Sequence, residues 1–213
     1  MTTLKSIMRE LSYASGTRAA YLASIYIDVQ DDRATFFATD GYRLAMRTID
    51  LPCPAKPLKA VVRREFMEQA AKVVGGPFSI LNSPEPNELL FFFGEQHYAV
   101  PVWERRLLSY RHIIGAPVAR ATVSRKAIIE EIGTYYCRIE ILAGQLTVGG
   151  EQVGANNVSG DGFVRILPRY LRQALEAMPG HRQVELAIVN NTMALQIRPA
   201  GVSDHLALIQ PMN

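Results

Sequence analysis

The chain is poor in the residues on which disulfide-built and metal-built folds rest. Only 2 of its 213 residues are cysteine and 4 are histidine. Cys53 and Cys137 are too few for a disulfide framework or a multi-ligand zinc site, so both are expected as reduced thiols. His97, His112, His181 and His205 are scattered, without His-x-x-x-His spacing or paired carboxylates. No apolar run approaches the ~20 residues that span a bilayer, and the opening Met-Thr-Thr-Leu-Lys-Ser is not a basic-then-apolar signal peptide. A soluble, cytoplasmic protein is expected. A Gly-Lys-Ser/Thr phosphate loop is absent: the glycine-rich stretch 149–162 has no lysine and reads as loop and hairpin. Asp31-Asp32 reads as an acidic tight turn rather than a metal site, and Cys137 has no base beside it in sequence. No catalytic, metal or cofactor residues emerge, and the expectation is a protein that is not an enzyme.

What is present is an ordinary globular composition, 48% hydrophobic and 20% charged, long enough for one large or two compact domains. Leu4, Ile7, Met8, Leu11 and Ala14 recur at helical spacing, and Gly16 is expected to stop that helix. Residues 23–29 and 34–39 read as a hairpin across Asp31-Asp32, followed by a strand at 44–49 and a proline-rich connection at 51–57. A second helix is expected over 62–74, stopped by Gly75-Gly76-Pro77, then strands at 78–81, 89–93 and 97–102 with Gly94-Glu95 turning between the last two. After Pro117 the programme restarts. A helix is expected over 122–136 with Ser124 as N-cap, then a hairpin across Ala143-Gly144 and a helix over 168–178 with Pro168 in its first turn. Strands at 183–189 and 192–199 turn at Asn190-Asn191, and 205–209 is a last strand.

The two halves repeat. Residues 62–66 align with 167–171, which also sets Ala70 on Leu175, Val73 on Met178 and Gly75 on Gly180; residues 7–11 align with 128–132 at a different offset. Two domains follow, 1–117 and 118–213, each α+β with two helices on six to eight short antiparallel strands.

The formal charge is +3. It is not evenly spread: basic residues outnumber acidic ones on all four expected helices, and the remainder of the chain is net acidic. Lys5, Arg9 and Arg18 belong to the first helical segment, Arg63, Arg64 and Lys72 to the second, Arg125 and Lys126 to the third, Arg169 and Arg172 to the fourth. If each pair of helices packs on one side of its sheets, these side chains make a positive face suited to phosphates, with no recognition helix, finger or stacking motif to read bases. On charge alone, solvated helix faces are the better account of them.

Residues 38–45, Ala-Thr-Asp-Gly-Tyr-Arg-Leu-Ala, form a strand, an Asp-Gly turn and a new strand opened by an arginine able to pair with the turn. This octapeptide resembles the Ala-Thr-Asp-Gly-His-Arg-Leu-Ala signature of the bacterial replicative sliding clamp, the β subunit of DNA polymerase III. Residues 107–114 resemble that family's Phe-Pro-Asp-Tyr-Arg segment, residues 168–171 its Asn-Pro-Arg-Tyr-Leu helix start, and residues 208–213 its Met-Pro-Met-Arg-Leu end. The resemblance covers nearly the whole chain, but only as the middle and C-terminal domains of a three-domain family. It implies two tandem DNA-clamp domains in a ring of six around duplex DNA, helices lining the hole. A two-domain chain would reach six as a homo-oligomer of three copies.

The resemblance also implies a hydrophobic pocket for short Leu- or Phe-bearing peptides of polymerase and clamp-loader proteins. Carried over by position, it comprises Leu22, Thr39, Gly41, Tyr42, Arg43 and Leu44, with Leu108 and Ile113, and Leu208, Gln210, Pro211 and Met212. Tyr42 stands where the family has His, Leu108 where Pro is usual, Gln210 where the terminal motif opens with Met, and the sequence ends at Asn213 without Arg-Leu. The other reading of the same features is a clamp-fold adaptor or competitor that binds clamp-interacting peptides without encircling DNA.

Overall fold

A computed structural model describes every residue except Met1, Thr17, Arg18, Pro54, Arg105 and Asn213. The chain forms two compact units, Met1–Leu108 and Ser109–Asn213.

The first unit opens with α1 (Leu4–Leu11), followed by a 3-10 turn at Ser12–Ala14. Thr3 and Ser6 cap α1 reciprocally: the Thr3 hydroxyl accepts from the Ser6 amide at 3.2 Å, and the Thr3 amide donates to the Ser6 hydroxyl at 3.1 Å. Strands β1 (Ser24–Gln30), β2 (Arg33–Thr39), β3 (Arg43–Asp50) and β4 (Leu58–Arg63) lie antiparallel in the order β4-β1-β2-β3. Gln30 pairs with Arg33 across Asp31-Asp32, and Asp31 takes a positive φ of 54°, as a two-residue hairpin turn demands. Next come α2 (Arg64–Val73) and a second antiparallel sheet of β5 (Ser79–Asn82), β6 (Glu88–Phe93) and β7 (Gln96–Pro101). One face of the first sheet (Ile25, Ile27, Val29, Phe36), the apolar stripes of both helices (Leu4, Ile7, Leu11, Met67, Ala70) and β6 (Leu89, Phe91) share a single buried core.

The second unit repeats this plan: β8 (Ala119–Ser124), α3 (Arg125–Glu131), β9 (Cys137–Leu142), β10 (Gln145–Val148), β11 (Glu151–Val153), β12 (Ala155–Ser159), β13 (Gly162–Ile166), α4 (Pro168–Glu176), β14 (Gln183–Ile188), β15 (Leu195–Pro199) and β16 (His205–Ile209). Its strands run antiparallel in the orders β12-β8-β14-β15-β16 and β11-β10-β9-β13. Ser124 caps α3 through the Ala127 amide. The repeat is visible in the caps: Thr3 before α1 and Ser124 before α3 occupy equivalent places in the aligned helices.

Several expected boundaries move. β4 runs directly into α2 and β8 directly into α3, so residues 62–63 and 122–124, expected as helix, are strand. In β4 the apolar run Ala60-Val61-Val62 is buried on both faces, which leaves no alternation to mark it as a strand. α3 ends at Glu131 rather than continuing to Tyr136: Gly133 favours a helix by about 1 kcal/mol less than alanine, and Tyr135 and Tyr136 stand exposed beyond it. Gly16 does not stop α1, whose regular turns end at Leu11. The stretch 149–162 contains β11 and β12, giving nine strands among the described residues of the second unit where six to eight were expected. Gly160 in this stretch has φ of 69° and lies so close to the Val118 carbonyl that no side chain fits. β15 starts at Leu195 instead of Thr192 because the Asn190 side chain accepts from the amides of Thr192 and Met193, at 2.9 and 2.7 Å, and holds them in a turn.

Candidate functional site

The 39–43 turn is built almost entirely from its own side chains. Asp40 Oδ1 accepts from the amides of Tyr42 and Arg43, at 3.0 and 3.1 Å. Its Oδ2 meets Arg43 Nε at 3.0 Å in an ion pair whose side chains are only 16% and 10% exposed. The Thr39 hydroxyl accepts from the Gly41 amide at 3.1 Å and donates to the Arg43 carbonyl at 2.6 Å. Gly41, at φ of 91°, takes the left-handed position that this reversal requires. A turn so tied presents Tyr42 outward, 57% exposed, while Leu44 is buried at the start of β3.

Leu22 and this turn flank Gly16 closely enough that a Cβ added there would meet both the Leu22 Cβ and the Asp40 Cβ. Leu108 is exposed at the end of the first unit. In the second unit Ile113 ends a 3-10 turn, Arg111–Ile113, and is half-buried. Leu208 is buried in β16, opposite Gln196. Gln210 and Met212 are exposed and Pro211 half-buried, and the Met212 amide donates to the Arg165 carbonyl at 2.8 Å. The sequence marks Asp40 as half of the Asp-Gly turn and Gly16 as a helix stop, and gives Tyr13 no role. Gly16 and Tyr13 meet the 40–43 turn through contacts that no local spacing reveals.

The basic side chains on the helices divide into two kinds. Lys5 and Arg9 on α1 and Lys72 on α2 are exposed, as is Arg63, which leans towards Glu65 at 3.8 Å. Lys126 is exposed and 3.5 Å from Glu130; Arg169 lies over the neighbouring Tyr170 ring. The others tie helix ends. Arg125 Nη1 donates to the Leu175 carbonyl at 3.1 Å, near the C-terminus of α4, and Arg172 Nη2 donates to the Ile129 carbonyl at 3.4 Å, near the C-terminus of α3. Arg64 pairs with Glu68 at 2.6 Å and reaches the Ser12 carbonyl just past α1. Guanidinium groups at helix C-termini add donors to the terminal carbonyls and oppose the negative end of the dipole. Arg18 lies outside the described residues.

Among the described residues no cluster of three or more His, Cys, Asp or Glu is placed to hold a metal ion, and no helix is long and apolar enough to cross a membrane. Burial pushes the Cys137 thiol up to about 11.

No family model and no curated protein matches the chain. Solved structures do. The β subunit of DNA polymerase III from Thermotoga maritima superposes with a TM-score of 0.84 at 16% identity, over 99% of this chain and 63% of that one. The DNA polymerase sliding clamp from Bacillus subtilis gives 0.82 at 16% identity, over 99% and 62%. The DNA polymerase III subunit β from Pseudomonas aeruginosa gives 0.80 at 18% identity, over 99% and 64%. The fold is that of a bacterial sliding clamp. The chain spans under two thirds of the length of these proteins, and both units take part in the match.

Proposed function

We propose that the chain is a sliding-clamp subunit, a non-catalytic processivity factor that encircles duplex DNA and tethers polymerase or other DNA-processing proteins. The observation that carries this reading is the clamp fold over 99% of the chain, both tandem units included. The exposed Lys5, Arg9, Lys72, Lys126 and Arg169 support it, because a helix face bearing unburied cations draws phosphates without selecting a sequence. Peptides of polymerase and loader proteins would dock on Leu22, the 39–43 turn and Leu108 of the first unit and on Ile113 and residues 210–212 of the second, whereas Leu44 and Leu208 are buried and offer a peptide no contact area. A rigid turn offering an exposed tyrosine beside aliphatic side chains suits a Leu- or Phe-bearing peptide.

Six domains require three copies of a two-domain chain, so the ring proposed is a homotrimer. Light scattering is expected to give about three times 23.7 kDa. Protein assembled on a nicked circle should stay bound through a salt wash and leave when the circle is cut. A chain that remains monomeric at high concentration and with DNA present overturns the ring. That outcome would favour the adaptor that grips peptides without encircling DNA.

A further inference from the structure

Gly16 follows the short turn that ends α1, and its amide donates to the Leu22 carbonyl at 2.8 Å. The hydroxyl of Ser15, itself buried, donates to the same carbonyl at 3.2 Å. A Cβ on residue 16 would stand 3.0 Å from the Leu22 Cβ and 3.2 Å from the Asp40 Cβ. Both neighbours are fixed to backbone, so neither swings away as the tip of a long side chain would. Gly16 is not in the left-handed region, so backbone freedom is not what the position requires. Its lack of a side chain is what lets Leu22 and Asp40 approach each other across it.

Tyr13 acts on the other side of the same turn. The Arg43 guanidinium lies over its ring, 5.2 Å from the centroid, which fixes the arginine from below while Asp40 holds it from the side. The Tyr13 hydroxyl is buried with no hydrogen-bond partner among the described residues, and burial raises its pKa well above the ordinary tyrosine value. The ring, not the hydroxyl, is what this position contributes.

We infer that Tyr13, Ser15 and Gly16 are positioning residues of the peptide-docking surface: they set the separation of Leu22 from the 40–43 turn and the pose of Arg43 without touching the peptide. This rests on the docking reading above. The geometry of a binding site has to hold within about 0.5 Å, and a Cβ at residue 16 consumes that tolerance.

The test is fluorescence anisotropy of a labelled hexapeptide ending in Leu-Phe, with its Ala-Ala counterpart as control, on the full chain. Gly16→Ala and Tyr13→Leu are each expected to weaken binding about tenfold. Tyr13→Phe is expected to restore native affinity, and the Arg43 Nε–H resonance in ¹H–¹⁵N spectra should keep its native position in Tyr13→Phe and move in Tyr13→Leu. Ser15→Ala, which removes one hydrogen bond and adds no bulk, provides a milder variant with an intermediate loss should Gly16→Ala not fold. If the native chain binds the hexapeptide and Gly16→Ala, Ser15→Ala and Tyr13→Leu bind it equally well, the positioning role is overturned and the docking reading stands. If Tyr13→Phe loses as much as Tyr13→Leu, the ring account is overturned. A native chain that does not distinguish the hexapeptide from its control overturns the docking reading and the positioning role together.

Discussion

Cys53 and Cys137 share a side chain and differ in everything that governs its reactivity. Cys53 is exposed in the proline-rich connection, whereas Cys137 is fully buried at the start of β9, where desolvation pushes the thiol up to about 11. One thiol per chain should therefore react with an aromatic disulfide reagent at pH 8, and two after denaturation; a second equivalent from native protein would contradict this burial. The folded-state pKa of Cys137 lies above its unfolded value, so the neutral thiol's contribution to stability is fully present below about 9 and fades as pH climbs towards 11. The same scale shows why the 39–43 turn was legible in the sequence. Residues 39–43 make their bonds to one another, so the octapeptide carries its own geometry. Gly16 and Tyr13 meet Asp40 and Arg43 only after the chain has folded back, and a sequence records no such meeting. Gly16 was therefore legible only as a helix stop.

Among the elements, the helix pairs carry a second lesson about charge. Counting arginines on helices predicts a positive face, but Arg125, Arg172 and Arg64 spend hydrogen bonds on the carbonyl ends of neighbouring helices. α3 and α4 are tied to one another twice, from the first residue of α3 to the end of α4 and from within α4 to the end of α3. Helices of seven and nine residues are too short to hold on propensity alone, which makes such ties matter. Arg125→Gln with Arg172→Gln should destabilise the protein by ~1 kcal/mol per site, read as a fall of several degrees in melting temperature. An unchanged melt would mean that these ties do not hold the two helices together. The elements themselves were legible wherever their period was clean: α1 and α4 start where the pattern puts them, and the hairpins across Asp31-Asp32 and Ala143-Gly144 turn where their turn residues stand. β4 and β8 were not, because each passes into a helix without a loop, and no turn residue marks the change of period.

For the whole molecule the proposed ring separates two kinds of attachment. Encirclement is topological and does not depend on charge, whereas the approach of phosphates to the helices is electrostatic and salt-dependent. Lys5, Arg9 and Lys72 are the side chains with which to part them, since all three are exposed on α1 and α2 and none caps a neighbouring helix. Replacing all three with Glu should lower the slope of log affinity against log salt for linear duplex by about 3 if each meets one phosphate, since every lost phosphate contact removes nearly one unit. The melting temperature should barely change, because these residues lie outside the shared core. Once assembled on a covalently closed circle, the same variant should resist a high-salt wash as the native protein does, and linearising the circle should release both. Equal loss of native protein from closed and linear DNA would mean that charge alone holds it there, and the ring would have to be given up. An unchanged salt slope in the variant would instead move the phosphate contacts away from α1 and α2 while leaving encirclement standing.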